Sequence, residues 1–444
     1  MIRRGAVAAA LAAAILSGAA ARAAEVYKAA ETFDAVWTIV RDSHFDPSFD
    51  RAAWDRVNAE LRPKAVEAKT PGELRGVLAD MLGRLGLSHF TVIPGSPDSP
   101  SQPLNLGGQP GFEVRLLGRQ LVVTSVEPDG GAATAGVRPG WIVDRIDATP
   151  VSTLLESITE TTPPRIAQLE AWRQTLTKLR GPSSSTVDVT FLDASGTSVK
   201  KSIERRPERG EPVTVGSLPT MFVRVKAALE PTPAGGKAAV IGFNVWMTAV
   251  DRDFQAAMDR YRDADGIVID LRGNPGGLAA MIMGLAGHFF PERATLGVMT
   301  TRQAQPLRFN ANPRLVNAAG ERVEPYAGPV AILVDGLTGS ASECFSGGMQ
   351  SLGRARVFGQ TSMGQALPAL FDRLPNGDVL IHAWGDFVTG TGVRIEGRGV
   401  IPDEPVELTR EALLAGRDPA LDKALAWIDT MRARPGKKGA NFGK

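Results

Sequence analysis

Gly266-Ile-Val-Ile-Asp-Leu-Arg-Gly-Asn-Pro-Gly-Gly277 is the stretch of sequence that decides the fold. It begins with a short apolar strand, Gly266–Leu271, and continues through a glycine-rich turn to a helix that we expect from Leu278. Glycines in such a turn let backbone N–H groups approach a ligand, and the N-terminus of a helix favours negative charge. Glycine turns are common, so this junction alone predicts a strand, a turn and a helix but no activity.

A second strand-to-helix junction follows the apolar strand Val330–Val334. It reads Asp335-Gly-Leu-Thr-Gly-Ser-Ala-Ser-Glu343 and places Ser340 at the start of a helix. A nucleophilic serine there would be fixed at a strand end, with the positive end of a helix dipole beside any oxyanion that forms. Ser340-Ala-Ser-Glu343 is also a capping box, in which Ser340 would only cap its helix. On this stretch alone the cap is the stronger interpretation.

Both junctions belong to residues 213–410, which alternate strands with helices and therefore predict an α/β domain. Ala238–Val245 has the apolar character of a strand, and the helix after it carries its apolar residues on one face. Two later strands, Asp378–Trp384 and Phe387–Val388, are expected to extend the same sheet.

The N-terminal part of the chain, residues 24–93, is expected to be a helical subdomain. Apolar residues recur three and four positions apart around Phe33 and around Leu78, the spacing of amphipathic helices that pack on a partner surface. The subdomain ends in Ser88-His89-Phe90, and a linker rich in proline, serine and glycine follows it.

Residues 107–207 contain short strands separated by glycine and proline turns, which predicts a small β-rich unit. Ala135-Gly-Val-Arg-Pro-Gly-Trp-Ile-Val-Asp-Arg-Ile146 resembles the body of a PDZ domain; an unrelated β-rich spacer is the alternative. A PDZ groove adds the C-terminus of a peptide as a strand and binds its carboxylate with backbone N–H groups. The resemblance places Gly111 and Phe112 in that peptide-binding loop, with Phe112 beside the terminal side chain.

The composition of the 444 residues is that of a globular protein, because 43% are hydrophobic and 22% are charged. The length is too great for one core, so two or three domains are expected. The formal net charge of +2 includes no basic excess of the kind that nucleic-acid binders carry. Cys344 is the one cysteine, which excludes an intrachain disulfide and a cysteine-rich zinc site. No metal and no organic cofactor is implied.

The first 23 residues have the pattern of a secretory signal peptide. Arg3 and Arg4 precede the apolar run Ala6–Leu16, which has eleven residues and is too short to span a bilayer. Ala21-Arg-Ala23 fits the small-residue cleavage pattern. We therefore expect an exported protein, periplasmic or secreted, whose mature chain has no integral membrane segment. At the other end, the basic, glycine-containing residues 434–444 are expected to be disordered.

Two further stretches, Val357-Phe-Gly-Gln-Thr-Ser-Met-Gly364 and Glu396-Gly-Arg-Gly-Val-Ile-Pro-Asp403, follow the two junctions in order. With these four markers, the PDZ-like unit and the export signal, the chain resembles the serine peptidases of the C-terminal processing (tail-specific) family, together with their tricorn-core and interphotoreceptor retinoid-binding relatives. The resemblance implies a multidomain α/β (α+β) fold. In it the PDZ-like domain is inserted between the helical subdomain and a ClpP/crotonase-like α/β catalytic domain, residues 213–410.

The resemblance also assigns the chemistry. Ser340 matches the family's nucleophile and Ser342 is left as support, but the lysine base of tail-specific members falls at Gln365, which cannot take a proton from serine. Tricorn-like members carry a Ser-His pair at the end of the helical region, and this chain has Ser88-His89 there. Imidazole has a pKa that suits a base near neutral pH.

Glu396 best matches the late glutamate that completes the site of tricorn-like members. Together with Ser88 it would orient the His89 imidazole, by the logic of a serine triad. The structural alternative is a simple ion pair of Glu396 with Arg394 or Arg398.

The function that the resemblance implies is an exported serine endopeptidase that cleaves unfolded or C-terminal segments of proteins. Backbone N–H groups of Ala341 and of Gly276 or Gly277 would form its oxyanion hole. Proteins or peptides are the expected partners, and the oligomeric state is left open. Because Gln365 replaces the lysine, the alternative is a catalytically inactive protein that retains the fold and binds a peptide or an apolar ligand.

Overall fold

The computed structural model describes residues 28–95, 107–216, 220–302 and 305–433. The predicted signal peptide, residues 1–23, and the predicted tail, residues 434–444, lie outside the described residues. Within those four ranges, no helix combines the length and the apolar character needed to cross a membrane.

The N-terminal region is helical, as its periodicity indicates. Its apolar faces form one core with three leucines from much later in the chain, Leu367, Leu374 and Leu380. A short strand at its end pairs antiparallel with Val379–Ala383, in the register Thr91 opposite Ile381. The elements are α1 (Ala29–Ser43), α2 (Arg51–Glu67), α3 (Pro71–Gly83) and β1 (Thr91–Ile93).

The second region is an antiparallel sheet in the order β3-β4-β5-β7-β8, with β6 beside β5 and a separate β2–β9 pair. Helix α6 packs on the sheet, and the aromatic ring of Phe112 lies 5.7 Å from that of Phe191 in the core. The elements are β2 (Gly108–Gln109), β3 (Phe112–Leu117), β4 (Gln120–Val126), α4 (Gly131–Thr134), β5 (Ile142–Ile146), β6 (Thr149–Pro150), α5 (Val151–Leu154), α6 (Pro164–Leu179), β7 (Thr186–Leu192), β8 (Ser198–Glu204) and β9 (Arg206–Pro207).

The third region is built on a six-stranded sheet in the order β12-β13-β14-β17-β18-β22, in which β12 is antiparallel and the others are parallel. The elements are β10 (Glu211–Val213), β11 (Met221–Val223), β12 (Val225–Pro231), β13 (Lys237–Phe243), α7 (Ala249–Arg260), β14 (Gly266–Asp270), α8 (Met281–Ala286), β15 (Ala294–Thr301), β16 (Leu307–Ala311), β17 (Val330–Val334), α9 (Ala341–Ser351), β18 (Arg356–Gly359), β19 (Ala369–Arg373), β20 (Val379–Ala383), β21 (Gly385–Thr389), β22 (Glu404–Pro405), α10 (Arg410–Leu414) and α11 (Pro419–Arg432).

Both faces of the central strands β14 and β17 are covered, which is why these two strands are apolar along almost their whole length. Ile267 and Ile269 face the core that contains α7, α8 and α9, whereas Val268 between them packs with α11 on the opposite face. The alternation follows from the two-residue period of a strand. It gives the three-layered arrangement of an α/β domain.

Two expectations about this region are wrong. Strands β20 and β21 do not extend the main sheet, because β22 occupies the position beside β18. They pair instead in two smaller sheets, β20 with β1 and β19, and β21 with β15. The helix after the first junction begins at Met281 rather than Leu278, because the N–H of Leu278 donates to the carbonyl oxygen of Trp246.

Candidate active site

The two glycine junctions lie side by side. Strands β14 and β17 are parallel neighbours, so their carboxyl ends meet at the same edge of the sheet. Two hydrogen bonds then join the turns: the Gly339 N–H donates to Asn274 O at 3.0 Å, and the Thr338 hydroxyl donates to Leu271 O at 2.8 Å. The turn that carries Ser340 is therefore supported by the turn that precedes it in the sheet.

Ser340 has a backbone conformation that residues other than glycine rarely adopt, with φ 51° and ψ −118°. Strain of this kind persists only where the surroundings impose it. Here the Ser340 N–H lies between two acceptors, Gln365 O at 2.9 Å and Glu343 Oε2 at 3.1 Å. Ser340 is partly exposed, whereas the helix behind it is buried.

Glycine is required where the first junction contacts Ser340. Gly276 has φ 104°, and a Cβ added there would lie 2.6 Å from Ser340 Cβ and 2.9 Å from Ala341 N. The Gly276 N–H donates to Asn274 Oδ1 at 3.0 Å, so this expected oxyanion donor is already used inside its own turn. Among the described residues, the N–H groups of Ala341 and Gly277 have no hydrogen-bond acceptor.

A buried carboxyl group, that of Glu343, joins the Ser340 turn to residues 362–366 by hydrogen bonds. Its Oε2 accepts from the N–H groups of Ser340 and Gln365, and its Oε1 accepts from the N–H of Gly364 at 2.6 Å and from the Ser362 hydroxyl at 2.5 Å. Burial raises the pKa of Glu343 to about 7, and the four hydrogen bonds oppose that rise. The capping box predicts only the bond to Ser340; the other three were not predictable from the local sequence.

Ser88, His89 and Glu396 form a continuous relay. The Ser88 N–H and hydroxyl donate to Glu396 Oε1 and Oε2 at 3.0 and 2.9 Å, and the hydroxyl oxygen lies 2.8 Å from His89 Nδ1. A hydroxyl has one proton, and here the carboxylate takes that hydrogen bond, so Nδ1 carries a proton and donates it to Ser88. The Nε2 of the neutral imidazole is then left with its lone pair free to act as a base.

His89 is held in this relay at φ 57°, a second strained residue of the site. Strand β1 begins two residues later, and its pairing with β20 fixes the direction of the chain. Desolvation by burial lowers the pKa of His89 to about 4. The imidazole is therefore neutral at pH 7, the form that a general base requires.

One short segment joins the relay to the Ser340 turn. Gln365 accepts from the Ser340 N–H through its carbonyl oxygen, and the next residue, Ala366, donates its N–H to Glu396 Oε2 at 2.8 Å. Gly397, beside Glu396, also donates its N–H to Gly364 O at 2.9 Å. The segment that holds glutamine at the expected lysine position thus contacts both halves of the site through its backbone.

Glu396 does not form the ion pair with Arg394 that was the alternative to a role in the site. Its carboxylate accepts hydrogen bonds from Ser88 and Ala366, and the Arg394 guanidinium pairs with Asp386 at 2.7 Å. Ser342 is fully buried, and its hydroxyl accepts from the indole N–H of Trp246 at 2.8 Å. It therefore supports the core beneath Ser340.

The side chains of His44, His382 and Cys344 make packing or hydrogen-bond contacts that support the fold. His44 stacks on Phe49 with 4.2 Å between the ring centroids, and buried His382 lies between the Ser43 hydroxyl and the Asp372 carboxylate. Cys344 is buried, which raises the pKa of its thiol. Within the described ranges no group of three or more His, Cys, Asp or Glu side chains could hold a metal ion.

The expected peptide-binding residues are buried in the β-rich unit. Gly111 has φ 83°, and a Cβ there would lie 2.9 Å from Gly130 Cα, so the loop requires glycine. Phe112 is in the core, 8% exposed. Further along β3, the Leu116 N–H donates to Gln168 Oε1 of helix α6 at 3.2 Å. The edge of β3 is therefore already hydrogen-bonded at Leu116.

The strained turn of Ser340 and the relay that contains the His89 imidazole are linked through the backbone of Gln365 and Ala366, and a serine and an imidazole are the residue types that serine hydrolases use. Residues 237–406 match the family model described as Peptidase family S41, and residues 26–83 match the model described as Tricorn protease C1 domain. The two matches together cover just over half of the chain. The chain belongs to peptidase family S41, in its C-terminal processing and tricorn-like group of serine peptidases, which confirms the resemblance found in the sequence.

Several curated proteins are similar over most of this chain. Tricorn protease homolog 2 of Streptomyces coelicolor is 25% identical over 434 residues, 90% of this chain but 32% of that protein. The carboxyl-terminal-processing protease of Synechocystis is 24% identical over 84% of this chain and 79% of its own length. The carboxy-terminal-processing protease of Bartonella bacilliformis is 24% identical over 71% of this chain and 64% of its own length. The chain therefore spans less than two thirds of some of these relatives.

Solved structures share the fold. The photosystem II D1 C-terminal processing protease aligns with a TM-score of 0.54 at 21% identity, covering 90% of this chain and 97% of that one. Mature CPAF aligns with a TM-score of 0.62 at 14% identity, covering 93% and 99%. The mixed α/β fold expected from the sequence is confirmed.

Proposed function

We propose that the protein is an exported serine endopeptidase that cleaves unfolded or C-terminal segments of other proteins, with His89 as base in place of the family lysine. The observation that carries this proposal is the backbone segment Gln365–Ala366, which is bonded to Ser340 on one side and to the Glu396–Ser88–His89 relay on the other. A nucleophile and an oriented base are thus built on one scaffold.

In the proposed reaction, Ser340 Oγ attacks the scissile carbonyl carbon while His89 Nε2 takes the hydroxyl proton. Ser88 accepts the Nδ1–H, and Glu396 stabilises the imidazolium that forms. The imidazolium then protonates the leaving amine, and the acyl-serine is hydrolysed by water that His89 activates in the same way.

The negative charge of the tetrahedral intermediate needs donors that are not already bonded. The N–H groups of Ala341, at the start of α9, and of Gly277 meet that condition. We assign the oxyanion hole to these two residues and leave out Gly276, whose N–H is bonded to Asn274.

The PDZ-like unit is assigned to substrate capture at the start of β3, where Gly111 and Phe112 would receive a peptide C-terminus. Because the Leu116 N–H is already bonded to Gln168, an added strand would be short and would end before Leu116. The relatives named as carboxyl-terminal-processing proteases support a substrate end of this kind.

Export rests on the sequence of residues 1–23. The test is N-terminal sequencing of the protein recovered from the periplasm or the medium of its host, where a chain that begins at Ala24 is expected.

A fluorophosphonate probe separates the enzyme from the inactive binding protein that Gln365 suggests. The enzyme is labelled at Ser340, and the label is lost when His89 is replaced by alanine. A binding protein that retains the fold without an activated serine is not labelled in either form.

A further inference from the structure

A cleft of about 710 Å³ separates the β-rich unit from the α/β domain, on the side of the sheet edge where the two junctions end. Arg138 and Trp141 line it from the β-rich unit, and Lys226, Leu413 and Arg417 line it from the α/β domain. We call it the interdomain cleft. Clefts between domains are common places for ligand binding.

Three acidic groups of the interdomain cleft are ion-paired with arginine. Asp335 Oδ2 accepts from Arg115 Nε at 2.8 Å. The carboxylates of Asp270 and Asp418 both pair with the Arg272 guanidinium, each at 2.7 Å. The guanidiniums of Arg115 and Arg272 thus hold three carboxylates between them, which leaves one negative charge among these paired groups.

Three cations remain after this pairing. Arg138, Lys226 and Arg417 are exposed, and in the described part of the chain none of their side chains has an ion pair or a hydrogen bond. Glu113 is the remaining acid; its carboxylate lies 3.4 Å from the Arg115 guanidinium. Over the whole lining five cations stand against four carboxylates, a net charge of 5 − 4 = +1, and the cations without a partner are the groups that can meet an anionic ligand.

The same cleft also has apolar walls. Trp141 and Leu413 are partly buried, and Leu414 is 37% exposed. Leu414 is kept there because its side chain packs over Gly140, and the Arg410 guanidinium donates to Gly140 O at 2.8 Å. A ligand that fits must present an anionic group next to an apolar one.

We propose that the interdomain cleft binds a peptide carboxylate that is flanked by apolar side chains, and so holds part of the substrate outside the catalytic centre. The carboxylate is either the free C-terminus or an aspartate or glutamate side chain, because both offer the same two oxygens to Lys226 and Arg417. The inference deepens the proposed function and rests on it. This is a second contact, on the outer face of the β3–β4 pair, and it is separate from the start of β3 at Gly111 and Phe112.

The test uses the full chain with Ser340→Ala, so that bound peptide is not cut. A short fluorescein-labelled peptide, with one internal glutamate and an apolar last residue, is titrated by fluorescence anisotropy. Replacing Lys226 and Arg417 together by glutamine is expected to raise Kd about tenfold, because charge-assisted hydrogen bonds are lost. The matched control is Arg119→Gln with Arg308→Gln, which removes two exposed cations that do not line the cleft.

The peptide variants identify the carboxylate. If amidating the C-terminus weakens binding to the parent chain but not to the Lys226/Arg417 variant, the cleft binds the free terminus. If replacing the peptide's glutamate by glutamine weakens binding to the parent chain but not to the Lys226/Arg417 variant, the cleft binds a side-chain carboxylate. Equal Kd values for the cleft variant and the control variant overturn the proposal, including the case in which amidation weakens both equally.

The experiments distinguish an error in the cleft proposal from an error in the proposed peptidase function. Fluorophosphonate labelling of the chain with native Ser340 reports the catalytic centre alone, and the cleft substitutions are expected to leave that labelling unchanged. A chain that is labelled normally but whose cleft variant binds peptide like the control remains a peptidase without this site.

Discussion

The backbone carbonyl of Gln365 accepts a hydrogen bond of 2.9 Å from the backbone N–H of Ser340. The residue at the expected lysine position thus supports the backbone of Ser340, although its side chain cannot serve as a base. The Gln365 N–H also donates to Glu343 Oε2, so both backbone groups of one residue hold the serine turn in its strained conformation.

Replacing Gln365 separates its backbone role from its side-chain role. Gln365→Ala keeps both backbone groups and is expected to retain turnover within about threefold of the parent chain, because the side chain supplies no base. Gln365→Pro removes the N–H that Glu343 accepts and is expected to lower kcat about 100-fold, since small misplacements of reacting groups cost that much. Peptide hydrolysis measures both. Severe loss in Gln365→Ala would show that the glutamine side chain takes part in catalysis.

The two serines of the second junction are expected to differ sharply. Ser340→Ala removes the nucleophile, so peptide cleavage and fluorophosphonate labelling disappear. Ser342→Ala leaves the indole N–H of Trp246 without its acceptor and is expected to lower the free energy of unfolding by about 1–3 kcal/mol while turnover persists. Denaturant unfolding and a peptidase assay on the same samples measure the pair. Turnover in Ser340→Ala but not in Ser342→Ala would assign the nucleophile to Ser342.

The pH profile tests the base. Burial lowers the pKa of His89 to about 4, and only the neutral imidazole can take the Ser340 proton. Therefore kcat/KM is expected to rise with pH through about 4 to 5 and to be flat around neutrality, instead of rising near the ordinary histidine value of about 6.5. His89→Ala is expected to lower kcat by about a thousandfold or more.

Glu343, whose pKa is raised to about 7, is the other group that could shape the acid side of the profile. A rise near pH 7 that disappears in Glu343→Gln would give that limb to Glu343 rather than His89.

Gly276→Ala is expected to inactivate the enzyme without unfolding it. The added Cβ would overlap Ser340 Cβ and Ala341 N and would also occupy an unfavourable φ, so the serine turn must shift. We expect about a 100-fold loss of kcat. Gly284→Ala is the matched control, because a Cβ there has only Asp251 Oδ1 within contact, at 3.8 Å. Steady-state kinetics with circular dichroism compare the two, and equal kcat values would remove Gly276 from the support of the site.

The sequence predicts individual elements well where a local pattern defines them. Strand Val330–Val334 has the predicted bounds, and the N-terminal region is helical where its apolar spacing predicts helices. The sequence does not predict which strands pair, because alternation shows which residues form a strand but not which strand lies beside it. That is why β20 and β21 were placed in the wrong sheet.

In the candidate site, too, the sequence predicts what a local pattern defines and misses what depends on contacts between distant segments. Ser340 sits at a junction that a local pattern defines, and the Ser88-His89 pair was found through resemblance. The use of the Gly276 N–H by Asn274 and the three further donors to Glu343 depend on how the turns fold back on themselves. Glycine content and a capping box do not contain that information. The glutamate three residues after Ser340 is the sequence signal that points to Glu343, and it indicates only the bond to the Ser340 N–H.

The relay also has a consequence for biosynthesis. Ser88 and Glu396 are 308 residues apart in the chain, and neither can orient His89 without the other. Contacts of such long separation form late, since the closure of a long loop must precede them. A ribosome that has made the first 390 residues has therefore produced the serine, the histidine and most of the sheet, but no working relay. If His89 is the base, as proposed, the unfinished chain has no peptidase activity, and proteolysis begins only when the polypeptide is nearly complete.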